Sequence, residues 1–155
     1  MKDEFVIDAH EVLNTMKKLT GKEIDAAIRR TVTQSANILV KETKDNFKHI
    51  TDAWSHKNSW NGRKLIDGIK KSKYDKKEEA IKVHICGDYR LQWFELGTKD
   101  RWQKKIKGRV LAKPRYIGKY TPHYFFRDAV QSTEQRIFED MDKRLSAAIM
   151  KIANK

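Results

Sequence analysis

Between Gly21 and Phe47, apolar and small residues return at three- and four-residue steps: Ile24, Ala27, Ile28, Thr31, Ser35, Ile38 and Glu42, with Val32 and Leu39 widening the stripe. That is the period of an α-helix with one face turned inward. Thr20 followed by Glu23 has the spacing of a capping box, in which each side chain satisfies a backbone N–H at the helix start. The pattern predicts a long helix over 21–47. A shorter helical piece around Val12, Leu13, Met16 and Leu19 precedes it, with Gly21 at the join. Val130, Ile137, Met141, Leu145, Ala148 and Ile152 repeat the period at the other end of the chain and predict a second long helix. Each helix has one apolar stripe and one charged face, so each must pack against another element.

The middle of the chain changes period. Ile81, Val83 and Ile85 alternate with Lys82, His84 and Cys86, the two-residue repeat of a half-buried strand. Gly87-Asp88 reads as a turn, and Tyr89, Leu91 and Trp93 alternate with Arg90, Gln92 and Phe94 to predict the next strand, antiparallel to the first. Residues Ile66 to Tyr74 predict another strand, after a helical turn at Lys64 to Asp67 and before the charged turn Asp75-Lys76-Lys77-Glu78-Glu79. The fold class is α+β: a long N-terminal helix, a small antiparallel sheet with the helices on one face, and a C-terminal helix. From Thr98 to Pro122 the periodicity fades and Gly108, Pro114 and Gly118 appear, so 99–121 is expected as a functional loop, a hairpin arm or a disordered connection.

Composition sharpens that picture. A length of 155 residues fits one domain over 1–155. The net charge is +13, which favours acidic partners, either nucleic acid or an acidic protein surface. The charge is concentrated. Lys99, Arg101, Lys104, Lys105, Lys107, Arg109, Lys113, Arg115 and Lys119 make nine cations against Asp100 alone, so this one segment carries +8 of the +13. These nine are the candidate contacts to a partner or to DNA. Trp102, Tyr116 and Tyr120 lie among them, as in surfaces that hold phosphates by charge and bases by stacking. The apolar run Phe5-Val6-Ile7 is too short for a signal peptide, and no stretch approaches the roughly 20 apolar residues of a membrane span. No membrane partner and no export are expected.

Catalytic and metal chemistry find little purchase. Cys86 is the single cysteine, so an internal disulfide and a thiolate-rich metal site are excluded, and its place in the strand pattern predicts a small buried hydrophobe. His49 and His56 are seven residues apart with no third ligand to complete a zinc set. Glu95, after the aromatic run, is the one carboxylate whose apolar surroundings suit proton transfer; the competing role, which is preferred, is to accept backbone or hydroxyl hydrogen bonds at the strand end, or to pair with a basic residue of the loop or of a neighbouring subunit. Arg115-Tyr116-Ile117-Gly118 matches half of a nuclease signature whose companion strand is absent near the N-terminus. No enzyme activity and no cofactor are expected. The alternative kept open by the charge is a non-sequence-specific nucleic-acid-binding protein.

Tyr89-Arg-Leu-Gln-Trp-Phe-Glu-Leu-Gly-Thr98 resembles the aromatic strand ending in Glu-(aromatic or aliphatic)-Gly-Thr of the HK97 gp10-like family of tailed-phage morphogenesis proteins, which are neck, head–tail joining or tail-completion proteins. Pro122-His123-Tyr124-Phe125-Phe126-Arg127-Asp128-Ala129 is similar to the family's later Pro-aromatic-aromatic-x-x-Ala element, and 61–69 echoes an earlier one. The order and spacing cover nearly the whole chain, while the 99–119 loop is longer and more basic than the family's connection. The resemblance implies a structural virion protein at the head–tail interface, present in the host cytoplasm during assembly. It implies a homo-oligomeric ring, six-fold or twelve-fold, touching neck, connector or tail neighbours and non-specifically the packaged DNA. Within it Glu95, Gly97 and Thr98 would close the central strand, and Pro122, Tyr124 and Phe125 would lock the return of the loop onto the core.

Overall fold

The structure, a computed structural model, describes residues 4–8, 21–50 and 64–153. Strand β1 (Glu4–Asp8) is followed by helix α1 (Lys22–Lys48), a 3-10 turn at Leu65–Gly68, strands β2 (Lys70–Lys71) and β3 (Ala80–His84), helix α2 (Arg90–Leu96), strands β4 (Trp102–Ile106) and β5 (Arg109–Tyr116), and helix α3 (Phe125–Ala153). The α+β class predicted from the periodicities is the class observed. The expected helical piece at Val12–Leu19 and the second histidine of the metal pair, His56, lie outside the described residues.

Helix α1 follows the apolar period closely. Its cap position is Gly21, one residue after the expected Thr20, and the Gly21 carbonyl accepts from the amides of Ile24 and Asp25. Glu23 and Asp25 in the first turn and Lys48 in the last oppose the helix dipole with the favourable signs. Ile28, Val32, Ala36, Leu39 and Phe47 are buried, whereas Ile24, Ala27, Ile38 and Glu42 flank the stripe at partial exposure. Thr31, Ser35 and Thr43 are buried too, and the Thr43 hydroxyl donates to the Leu39 carbonyl at 2.8 Å, so its polar atom is satisfied within the helix.

Helix α3 runs antiparallel to α1: Ser35 Oγ donates to Asp140 at 2.7 Å, Arg144 donates to Gln34 at 2.7 Å, and Asn46 at the far end of α1 donates to the Phe125 carbonyl at 3.2 Å. Phe125, Phe126, Ala129, Ile137, Met141 and Leu145 supply its buried face. Against α1 also lies a three-stranded antiparallel sheet in the order β1-β3-β2. Ile81 and Val83 of β3 and the following Ile85 are fully buried, as their alternation predicts. β1 pairs Glu4 with His84 and Asp8 with Ala80, so the Phe5–Ile7 run, which is too short for a signal peptide, is an edge strand. The strand predicted over 66–74 shrinks to Lys70–Lys71 after the 3-10 turn, and the charged turn closes through an Asp75–Ala80 bridge. Among the described residues, no helix is long and apolar enough to cross a membrane.

Two expectations are corrected. The strand predicted from Tyr89 to Phe94 is helix α2. Gly87 is pressed on Gly68: its amide donates to the Gly68 carbonyl at 3.1 Å, and a Cβ on Gly87 would sit 2.5 Å from that oxygen. Asp88 then starts the helix by accepting the Arg90 amide on Oδ1 at 3.0 Å and the Leu91 amide on its carbonyl at 3.0 Å. Arg90, Leu91, Phe94 and Glu95 are buried, the i, i+1, i+4, i+5 face of a helix, whereas a strand would have hidden Trp93 and exposed Phe94. Cys86 is exposed, not buried, because Ile85 takes the inward position at the strand end.

Candidate functional site

Two of the sequence elements on which the resemblance rests, 89–98 and 122–129, meet in space. Glu95, at the end of α2, is 1% exposed; its Oε2 accepts the Phe126 amide at 2.8 Å and its Oε1 the Arg127 amide at 3.0 Å. A carboxylate thus caps the first turn of α3 from another helix, where the unpaired amides and the positive dipole end favour an anion. The backbones are stitched alongside: His123 N–H donates to the Phe94 carbonyl at 2.8 Å and Tyr124 N–H to that of Glu95 at 3.2 Å. Phe125 packs on Phe47, which also meets Phe94 edge-on, so one aromatic cluster ties α1, α2 and α3 together.

Gly97 ends α2 at φ +71°, and a Cβ there would lie 2.8 Å from the Tyr120 carbonyl oxygen and 2.9 Å from Pro122 Cδ. Both the left-handed conformation and the close approach require glycine. Thr98 completes the closure: its amide donates to the Tyr120 carbonyl at 3.0 Å, and its hydroxyl accepts the Tyr120 amide at 3.0 Å. Glu95, Gly97 and Thr98 therefore end a helix, where a strand was expected, and they do so against the segment that contains Pro122, Tyr124 and Phe125.

From this closure rises the basic segment, as a β-hairpin. β4 and β5 form a sheet of their own, with Trp102 opposite Tyr116, Gln103 opposite Arg115, Lys105 opposite Val110 and Ile106 opposite Arg109. Lys107 and Gly108 make the turn with φ of 48° and 82°, the doubly left-handed pair of a two-residue hairpin turn. The register slips between Gln103 and Lys105, where β5 carries Pro114, a residue without an amide for the ladder. Lys99 precedes the hairpin, Lys104 and Lys105 lie on β4, Lys107 at the tip, Arg109, Lys113 and Arg115 on β5, and Lys119 after it; all eight are exposed. Val110, Trp102 and Tyr116 are also open to solvent at 73%, 55% and 49%.

Arg101 is the exception among the nine cations. It is half-buried, with its guanidinium 4.4 Å from the Tyr120 ring centre and 5.6 Å from that of Trp93. Trp93 and Tyr120 stack at 6.0 Å, Tyr120 tilts on Phe94 at 5.1 Å, and Tyr89 meets Trp93 edge-on. Arg101 also exchanges backbone bonds with Gly118 and Ile117, so the hairpin root is held by cation–π contacts with Tyr120 and with Trp93 of α2, and by main-chain pairing. Asp100, the one carboxylate in the segment, accepts a hydrogen bond from the Tyr116 hydroxyl at 3.2 Å. Desolvation first, and then this bond, raise the Tyr116 phenol above its ordinary range.

Comparison with family models, curated proteins and solved structures finds no match. What the site can do therefore rests on its own geometry. Sequence reasoning grouped Arg101 with the other cations and left Trp93 and Tyr120 in separate elements. Their contact depends on α2 being a helix, and the faint signal for it was Phe94 and Glu95 standing four residues after Arg90 and Leu91. The Asp88–Arg90 pair was missed for the same reason: Arg90 Nε and Nη2 fork onto the two Asp88 oxygens at 2.9 and 2.7 Å, in a half-hidden position at the root of α2.

Proposed function

We propose that this chain is a structural virion subunit that forms a homo-oligomeric ring at the head–tail interface of a tailed phage and helps to complete or join head and tail during assembly. The observation that carries the proposal is the lock between Glu95-Leu96-Gly97-Thr98 and Pro122–Phe126. Both segments belong to the resemblance with HK97 gp10-like morphogenesis proteins, and here each needs the other: the carboxylate of one caps the helix of the second, and the glycine of one admits the backbone and proline of the second. Residues that constrain one another in this way act as scaffold. Glu95, with both oxygens engaged by backbone amides, serves as a cap and not as a proton carrier.

The hairpin is then the contact arm, and ring symmetry repeats it as a belt of positive charge facing neighbouring neck, connector or tail components or DNA. Action is by shape and charge complementarity, without turnover. Native mass measurement of the purified chain, with electron microscopy of particles made in its presence, tests the proposal. A closed ring and its placement at the neck are the expected outcome. The charge reversal Lys104→Glu/Lys105→Glu/Lys107→Glu, confined to exposed positions, should leave the thermal unfolding midpoint nearly unchanged and sharply reduce the yield of joined particles. A chain that remains monomeric both alone and in particle extracts would refute the ring.

A further inference from the structure

The hairpin carries its cations on both faces. In an antiparallel pair, directly opposed residues share a face and successive pairs alternate. Lys105 with Val110 and Ile106 with Arg109 are successive pairs, so Lys105 and Arg109 point to opposite sides of the ribbon. At the other end the Gln103–Arg115 pair faces away from Trp102–Tyr116. A flat acidic protein surface would meet one of these faces and leave the other cations in solvent. A groove with a negative wall on each side would meet both.

We propose that the hairpin inserts into the major groove of duplex DNA, with Lys105 and Arg109 reaching phosphates on opposite walls. Dimensions agree. A β-ribbon with side chains on both faces is about 10 Å thick, and the major groove is about 12 Å wide and admits a two-stranded ribbon. The five- and eight-residue strands make a ribbon roughly 17–26 Å long at the usual rise per residue. The single carboxylate of the segment, Asp100, is turned to the Tyr116 hydroxyl. The exposed Trp102–Tyr116 pair, 5.1 Å between ring centres, offers an apolar surface to sugars at the groove edge. Contacts are with the backbone, so binding is independent of sequence. This inference rests on the hairpin being the contact arm, but not on the ring.

The experiment uses the full chain and a fluorescein-labelled mixed-sequence duplex of about two helical turns, the length that offers a ribbon a full major groove. Binding is read by anisotropy across a range of NaCl concentrations. Each phosphate contact contributes about 0.9 to the slope of log Kd against log salt. Lys105→Gln and Arg109→Gln should therefore each lower that slope by about 0.9, while Lys22→Gln/Lys41→Gln, on the exposed side of α1, leaves it unchanged. Guanine N7, which lies in the major groove, should be protected from dimethyl sulfate. An effect of only one of the two hairpin substitutions, or binding without N7 protection, overturns the groove geometry. Equal competition by polyglutamate at matched charge places the arm on an acidic protein instead. Native mass spectrometry of the same variants separates the two proposals: intact rings with lost DNA binding retain the inference, and DNA binding by a persistent monomer refutes the ring alone.

Discussion

At the scale of single residues, Glu95 does the most with one side chain. It sits in the interior as a carboxylate, a placement that is costly unless hydrogen bonds replace water, and the two amides at the start of α3 provide them. Removing the carboxylate leaves the buried Phe126 amide and the part-buried Arg127 amide without this acceptor. Glu95→Ala should destabilise the fold by about 2–3 kcal/mol, the usual consequence of orphaning charge-assisted hydrogen bonds, measured as a fall in the urea midpoint at constant slope. Glu95→Gln keeps one acceptor and should lose less. Equal losses in the two variants would mean that packing volume, and not the cap, sets the cost. Glu95 was legible as a residue with two candidate roles. Its partner was not, since the amides of Phe126 and Arg127 lie some thirty positions away and leave no trace in the residue pattern.

At the scale of elements, the contrast is between α1 and α2. Twenty-seven residues give α1 many turns over which the three- and four-residue steps must agree, so its boundaries emerge from the pattern alone. Seven residues are too few for α2: apolar positions in Arg90–Leu96 satisfy both a two-residue and a 3.6-residue repeat. The hairpin is governed by its two ends. An isolated two-stranded ribbon is marginal in water, so its order depends on the Arg101–Tyr120–Trp93 stack at the root and on the Lys107-Gly108 turn at the tip. Tyr120→Ala should remove amide-exchange protection from β4 and β5 while α1 and α3 keep theirs. Lys107→Asn, which relieves a left-handed lysine, should raise hairpin protection. A Tyr120→Ala protein with fully protected strands would show that the turn alone holds the arm.

At the scale of the whole molecule, charge is divided between jobs. Eight exposed cations lie on or beside the hairpin, while Arg90, Arg136 and Arg144 pair with carboxylates and brace the helices. Arg90 holds the Asp88 carboxyl below its usual range, and Arg144, with a second contribution from Ser35, does the same for Asp140 between α1 and α3. A carboxyl whose folded pKa lies below its unfolded value of about 3.9 contributes stability that is present above that value and lost as pH falls through the folded one. Stability should thus hold level from neutral pH down to about pH 5, and then drop in acid. Asp140→Asn should lower the plateau and flatten the acid limb, as read by urea unfolding at a series of pH values. An acid limb unchanged in both Asp140→Asn and Asp88→Asn would assign the decline to other carboxyls.

The residue order alone determined the α+β class, the two long helices, strand β3 and the concentration of net positive charge in 99–119, because each is a local property: a repeat that a helix or strand imposes on its own side chains, or a count of cations along one stretch. Tertiary structure decided the rest. It turned Tyr89–Phe94 into a helix through the Gly87–Gly68 contact, set Glu95 on the amides of α3, and raised the basic stretch into a ribbon with cations on both faces. Each of those outcomes depends on groups distant in the chain meeting at hydrogen-bond or van der Waals range, and periodicity holds no information about which distant groups will meet.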